Sequence, residues 1–84
     1  MKMNKEEIKN KIKDIIVDEN YVDASEVTDT ANFEDDLGLD SFDLVYLIIK
    51  IEKEFSISIS DDEAEKVSCL NDCVELAEKY VNQK

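Results

Sequence analysis

Proline and histidine are absent from this sequence of 84 residues, and glycine occurs only at position 38. With so few helix breakers, its many lysine, glutamate, isoleucine and leucine residues favour helices joined by polar loops. Without histidine it cannot form a Ser-His-acid triad, and two cysteines are too few for a four-ligand zinc site in one chain. The sequence therefore predicts a small helical protein that is not an enzyme.

Basic residues are scarce, since ten lysines face 22 acids and the net charge is −12. This balance excludes nucleic acid and anionic membrane surfaces as partners, because both need a basic face. The longest apolar run, residues 44–49, is too short to cross a bilayer or to form the core of a signal peptide. We therefore expect a cytoplasmic protein with no membrane insertion.

The charge is also uneven along the chain. Residues 1–13 hold five lysines and two glutamates, whereas residues 14–84 hold five lysines and twenty acids. An acidic body behind a basic first helix predicts partners with basic patches that approach the later helices. The alternative interpretation is that the acids only keep a small protein soluble.

Hydrophobic periodicity predicts four helices, and so an all-α fold in one domain over residues 1–84. Asn4 and Glu7 form a capping-box pattern at the start of a first helix over residues 4–18. The second helix is predicted from Ser41 to Phe55. A short third helix is predicted over residues 60–67, and the fourth over residues 70–82. We expect these helices to form a small four-helix bundle.

The segments between the predicted helices carry apolar residues of their own. Ile57 and Ile59 alternate with serines, but a single short alternating stretch has no partner, so we expect an extended connection. The long connection over residues 19–40 needs apolar anchors if it is to stay ordered. The candidate anchors are Tyr21, Val22, Val27, Phe33 and Leu37.

The segment 38–43, Gly-Leu-Asp-Ser-Phe-Asp, places a serine at the first turn of the second helix. Asp40 is the predicted N-cap, and Asp43 can reach back to the backbone N–H of the cap. Ser41 is then exposed at the positive end of the helix, where a phosphate on its oxygen would be favoured by ~0.3–1 kcal/mol. The segment predicts an attachment site for a phosphate ester.

The second helix has more apolar residues than one buried stripe needs. Phe42, Tyr46 and Ile49 form a ridge beside Ser41, with Val45 next to them. This ridge is either covered by the long connection or exposed as a docking surface. The residues predicted to face the core are Leu44, Leu47, Ile48, Ile51 and Phe55.

Residues 33–45 (FEDDLGLDSFDLV), 52–55 (EKEF) and 60–67 (SDDEAEKV) together resemble the acyl carrier proteins. In that family the serine carries a 4′-phosphopantetheine arm, which implies that Ser41 is the attachment site and that a phosphopantetheinyl transferase is a partner. The resemblance covers nearly the whole chain. It implies a monomeric carrier that holds acyl groups as thioesters, with fatty acid biosynthesis as the expected pathway.

The resemblance also implies that acyl-processing enzymes with basic docking patches bind the second and third helices. We expect Phe42, Val45 and Ile49 to make the apolar contacts with these enzymes. Carboxylates around them would steer the approach and make it sensitive to salt. The expected steering residues are Asp40, Asp43, Glu52, Asp61 and Glu65.

The small residues Cys73 and Ala77 predict a narrow gap in the core beside the second helix. A saturated chain buried there would gain up to ~0.8 kcal/mol per methylene. The predicted acyl-chain pocket comprises Leu47, Ile51, Phe55, Cys73 and Ala77.

No metal site is predicted. An EF-hand loop needs an acid at its first position and a glutamate at its twelfth. With Gly38 at the sixth position, these two positions fall on Phe33 and Leu44, which cannot bind calcium through their side chains.

Several positions depart from the pattern of the fatty acid carriers, and these leave the pathway open. Phe42 stands where those carriers most often have leucine. Tyr46 and Lys53 replace acids, and Ser60 replaces a proline. A specialised carrier of D-alanine, a polyketide or another secondary metabolite is one alternative, and an unmodified acidic helical adaptor is another.

Overall fold

The computed structural model describes residues 4–20, without the side chain of Asn20, and residues 22–82. The predicted anchor Tyr21 lies outside the described residues. The all-α prediction is confirmed. Within the described residues no strand forms, and an isolated bridge pairs Asn32 with Cys69. The helices are α1 (Lys5–Asn20), a short 3-10 helix (Ala24–Glu26), α2 (Ser41–Phe55), α3 (Asp61–Ala64) and α4 (Leu70–Asn82).

The start of α1 matches the predicted capping box. The Glu7 amide donates to Asn4 Oδ1 at 2.8 Å, and the Asn4 amide donates to Glu7 Oε1 at 3.4 Å. These bonds satisfy two backbone donors that the first turn leaves free. The helix runs to Asn20, two residues beyond the predicted end.

Helix α3 is shorter than predicted. Ser60 caps it, with its Oγ accepting from the Glu63 amide at 3.3 Å, but the helix ends at Ala64 instead of Val67. The Lys66 amide donates to Glu63 O and the Val67 amide donates to Ala64 O, each at 3.2 Å. These i to i−3 bonds tighten the chain after the helix, so that Val67 enters the core.

The core lies where α1 packs against α4 and α2. The predicted inner stripe of α2 is confirmed, with Leu44 half-buried at its edge. Such a stripe forms because residues three and four apart share one face of a helix. The buried helical residues are Ile8, Ile12 and Ile16 of α1, Leu47, Ile48, Ile51 and Phe55 of α2, and Leu70, Cys73, Val74 and Ala77 of α4.

The long connection before α2 is pinned to the start of α4. Phe33 is fully buried, its amide donates to Ser68 O at 2.8 Å, and its carbonyl accepts from the Leu39 amide at 2.8 Å. The Asn71 amide donates to Asp29 O at 2.9 Å. Val27 is buried too, while Val22 and Leu37 are half-buried against the core. The connection is therefore held in place by these anchors and by backbone bonds.

Candidate functional site

Ser41 lies at the N-terminus of α2 between two carboxylates that cap each other's backbone. The Asp43 amide donates to Asp40 Oδ1 at 2.9 Å, and the Asp40 amide donates to Asp43 Oδ2 at 3.1 Å. The predicted capping box is therefore present. Ser41 is exposed beside it, at the end of the helix where the backbone N–H groups favour negative charge.

The chain reaches Ser41 through a sharp turn at Gly38. The φ angle of Gly38 is +70°, in the left-handed region that glycine adopts without a steric penalty. The next residue, Leu39, is buried, and its amide bonds to the anchored Phe33. The turn and this anchor fix the direction from which the chain enters α2.

The apolar ridge beside Ser41 is exposed to solvent. Phe42 is 83% exposed, Val45 59%, Tyr46 49% and Ile49 40%. The interpretation that the long connection covers this ridge is therefore wrong. Four large apolar side chains on one helix face form a surface that monomeric proteins seldom leave without a binding role.

A cavity of about 550 Å³ begins beside Ser41 and lies between α2 and α3. Three of the expected steering acids, Glu52, Asp61 and Glu65, line it together with Glu34. Apart from these acids and Ser41, its wall is apolar. The apolar lining residues are Leu44, Val45, Ile48, Ile49, Ile59, Ala64 and Val67.

The five residues of the predicted acyl-chain pocket do not line this cavity. Leu47, Ile51, Phe55, Cys73 and Ala77 are buried in the core, with 0–7% of each exposed. The cavity lies instead closer to α3, since Asp61, Ala64, Glu65 and Val67 line it. That a bound chain reaches the five core residues stays a prediction.

Four residues of the cavity wall, Glu34, Ile59, Ala64 and Val67, had no predicted role in the site, and two of them are informative. Ile59 belongs to the connection between α2 and α3, and its alternation with serines was the signal available. Its amide donates to Glu52 Oε2 at 2.8 Å, so Glu52 also holds this connection to α2. The sequence predicts Val67 within the third helix, because no local pattern distinguishes its position in the tighter turn that follows Ala64.

The five expected steering acids fall into two groups. Asp40 and Asp43 use their carboxylates to cap α2, whereas Glu52, Asp61 and Glu65 surround the cavity. The second group therefore presents its charge near the exposed ridge.

The other side of the ridge carries two lysines, Lys50 and Lys53. Lys50 Nζ lies 3.4 Å from Glu19 Oε1 and 5.5 Å from the centre of the Tyr46 ring. The pKa of Lys50 is raised, chiefly by the Glu19 carboxylate. Lys53, one turn from Ile49, is exposed. Acids thus line the α3 side of the ridge, whereas on its α1 side lysines and acids are mixed, with Lys50 and Lys53 beside Asp18, Glu19 and Glu54.

Neither cysteine lines the cavity beside Ser41. Cys73 is buried, and burial raises the pKa of its thiol well above the ordinary value.

Among the described residues no group of three or more potential ligands could hold a metal ion. The same residues contain no helix long and apolar enough to span a bilayer.

Two comparisons with known proteins agree with this geometry. Residues 10–77 match the family model described as "Phosphopantetheine attachment site". The solved structure of the acyl carrier protein from Enterococcus faecalis is 33% identical and superposes with a TM-score of 0.78. The match covers 93% of this chain and 99% of that one. The chain therefore belongs to the acyl carrier protein family.

Membership makes this chain a carrier protein, not an enzyme, with 4′-phosphopantetheine as its prosthetic group. The residues around Ser41 fit such a group. The hydroxyl is exposed, the helix terminus favours a phosphate, and the apolar cavity begins beside it. As the family implies, the protein interacts with acyl-processing enzymes.

Proposed function

We propose that Ser41 carries the 4′-phosphopantetheine arm and that the protein transports acyl groups in fatty acid biosynthesis. The observation that carries the proposal is the position of Ser41, exposed at the start of α2 and bordering the cavity between α2 and α3. An arm attached there lies next to a surface for enzymes and to a space for cargo. The arm supplies a thiol, to which acyl groups are joined as thioesters.

A phosphopantetheinyl transferase performs the attachment with coenzyme A. The Ser41 oxygen forms a bond to the phosphorus that bears pantetheine, and the bond to the adenosine bisphosphate half breaks. The proton of the hydroxyl must pass to a base. The sequence has no histidine, and Asp40 and Asp43 are engaged in capping, so this base belongs to the transferase.

The cavity supports an apolar cargo. A saturated chain that enters it leaves water for a wall of isoleucine, valine and leucine side chains. Burial of six or seven methylenes would contribute up to ~5 kcal/mol before any repacking of the wall. This amount is similar to the whole stability of a small domain, ~5 kcal/mol at the lower end.

Partner enzymes bind the face formed by α2 and α3. The exposed ridge supplies the apolar contact, and Glu52, Asp61 and Glu65 attract basic patches. A net charge of −12 opposes self-association and supports a monomer. Both cysteines are free, which suits the reducing conditions of the cytoplasm, where we place the protein.

A specialised carrier of D-alanine or a secondary metabolite is the second candidate. Phe42 favours it, because this residue stands where fatty acid carriers most often have leucine and is 83% exposed to any partner. The genes beside this one would separate the two candidates, since ketoacyl synthase genes and D-alanyl ligase genes indicate different pathways.

The attachment is tested by measuring the intact mass of the protein after incubation with coenzyme A and a phosphopantetheinyl transferase. The wild type should gain one phosphopantetheine, and Ser41→Ala should gain none. Ser56→Ala is the matched control, because Ser56 lies at the opposite end of α2. No gain by the wild type, or an equal gain by Ser41→Ala, would favour the unmodified adaptor.

A further inference from the structure

Helix α3 lies between two cavities. On its α2 side is the cavity of about 550 Å³ that begins at Ser41, and on its α4 side is one of about 320 Å³. Val67 lines both of them. A helix of four residues is too short to hold its position by itself, so its contacts decide where it lies.

Polar side chains connect α3 with α4 beside the second cavity. Tyr80 Oη donates a hydrogen bond to Glu63 Oε1, and Lys79 Nζ donates to Glu63 Oε2 at 3.3 Å. Lys79 Nζ also lies 5.6 Å from the centre of the Tyr80 ring. We call these three residues the α3–α4 link. In the described part of the chain, the link supplies the side-chain hydrogen bonds and the ion pair between α3 and α4.

Glu63 is also held by the residue that caps α3. Ser60 Oγ, at the cap of α3, lies 3.4 Å from Glu63 Oε1 and bonds to it. The Tyr80 hydroxyl is the largest of the influences that lower the pKa of Glu63, so this carboxyl remains charged at neutral pH. A charged acceptor makes the hydrogen bonds stronger than those between neutral groups.

A shift of α3 toward α4 would enlarge the first cavity and reduce the second. Glu63 and Lys79 both line the second cavity, and their ion pair crosses it. Because Tyr80 Oη and Lys79 Nζ already contact the Glu63 carboxylate, α3 cannot approach α4 further unless these side chains change conformation.

We infer that Tyr80 and Glu63 determine the length of the acyl chain that the protein can enclose, because they limit how far α3 moves away from α2. The inference rests on the proposed function. It assigns a role in cargo selection to two residues of which neither lines the cavity beside Ser41.

The test uses Tyr80→Phe, which removes only the hydroxyl, and Glu63→Gln, which removes the charge. Glu54→Gln is the matched control, because Glu54 pairs with Lys11 at 3.9 Å between α2 and α1, away from α3. Each full-length protein is measured as the unmodified form, the form with the free arm, and forms that carry butyryl to dodecanoyl chains.

Hydrogen exchange of the unmodified proteins measures the link without any arm. The amides of Ala64 to Val67 should exchange about fivefold faster in Tyr80→Phe and Glu63→Gln than in the wild type and in Glu54→Gln. Equal exchange in all four proteins would overturn the inference, since the link would then not hold α3.

Melting temperatures of the loaded forms measure the effect on cargo. In the wild type the gain over the free arm should reach a maximum at one chain length, and in Tyr80→Phe and Glu63→Gln this maximum should move to longer chains. An unchanged maximum, or no gain at any length, would overturn the inference while leaving attachment at Ser41 intact. A wild type that accepts no arm would overturn the proposed function, and the inference with it.

Discussion

Asp40 and Asp43 hold the start of α2 by a reciprocal pair of hydrogen bonds, at 2.9 Å and 3.1 Å, with Ser41 between them. The same two carboxylates that resemble steering charges in the sequence thus have a structural task. This arrangement keeps the serine on the first turn and leaves its hydroxyl exposed.

We therefore expect Asp40→Ala to lower the stability of the folded protein, because α2 loses its N-cap side chain. Loss of an N-cap carboxylate lowers the free energy of unfolding by about 1 kcal/mol. Asp40→Asn, which can still accept the amide bond, should recover most of it. Urea denaturation of both variants measures the difference, and equal stability of Asp40→Ala and the wild type would show that the cap contributes nothing.

The acids around the cavity are better suited than Asp43 to test whether charge attracts the partner enzymes. A substitution of Asp43 would also disturb the cap of α2, whereas the acids around the cavity do not cap that helix. Asp61→Lys should slow association with the transferase by about tenfold at low salt and weaken its dependence on salt. Ile49→Ala should instead speed dissociation. Surface plasmon resonance over a range of salt concentrations separates the two rates.

Glu75→Lys is the control for that experiment, because it makes the same charge change at an exposed position of α4. If Glu75→Lys slows association as much as Asp61→Lys, net charge alone attracts the partner. In that case the α2–α3 face has no special role in recognition.

The cavity predicts a dependence of stability on cargo. An octanoyl group on the arm should raise the melting temperature above that of the free arm, whereas an acetyl group should not, because it buries too little apolar surface. Ala64→Phe should abolish the octanoyl effect by filling the cavity that Ala64 lines. Differential scanning calorimetry gives the melting temperatures of the wild type and of Ala64→Phe with the free arm, the acetyl group and the octanoyl group.

Ala24→Phe provides the matched control, since Ala24 is exposed in the short 3-10 helix. It should leave the octanoyl effect unchanged. Equal melting temperatures of the acetyl and octanoyl forms of the wild type would favour a small polar cargo such as D-alanine.

Glu63 predicts how stability changes in acid. Its pKa is lowered from the ordinary 4.5, chiefly by the hydrogen bond from Tyr80, so the unfolded chain binds a proton more readily than the folded one. The stabilisation from this carboxyl is therefore complete above pH 4.5 and is lost as the pH falls through the lowered pKa of the folded protein.

Glu63→Gln should remove that contribution. Its melting temperature should lie below that of the wild type near neutral pH, and the gap should narrow as the pH falls from about 6 to about 3. Thermal melts followed by circular dichroism would show this, and a gap that stays constant over the range would contradict it.

The parts of the molecule that the sequence predicted are those decided by neighbouring residues. The caps at Asn4 and Asp40 and the inner stripe of α2 depend on spacings of three or four residues, so they could be read directly. The cavity could not, because it depends on where a four-residue helix lies. That position is set by contacts such as Glu63 with Tyr80, which are 17 residues apart.

The exposed ridge could be predicted only in part from the sequence. Its spacing in the sequence identified Phe42, Tyr46 and Ile49 as one face of α2. Whether the long connection covered that face depended on Phe33 and Val27, whose side chains are buried elsewhere in the core. Periodicity gives the face of a helix, but packing of distant segments decides whether solvent reaches it.

The most direct test of the account is the mass of the Ser41 peptide from protein isolated from its own cells. Tandem mass spectrometry should find phosphopantetheine on Ser41, with saturated or hydroxylated acyl chains of several lengths on the thiol of the arm. A peptide that carries only alanine on the arm would contradict the assignment to fatty acid biosynthesis. An unmodified Ser41 in every molecule would contradict the carrier function itself.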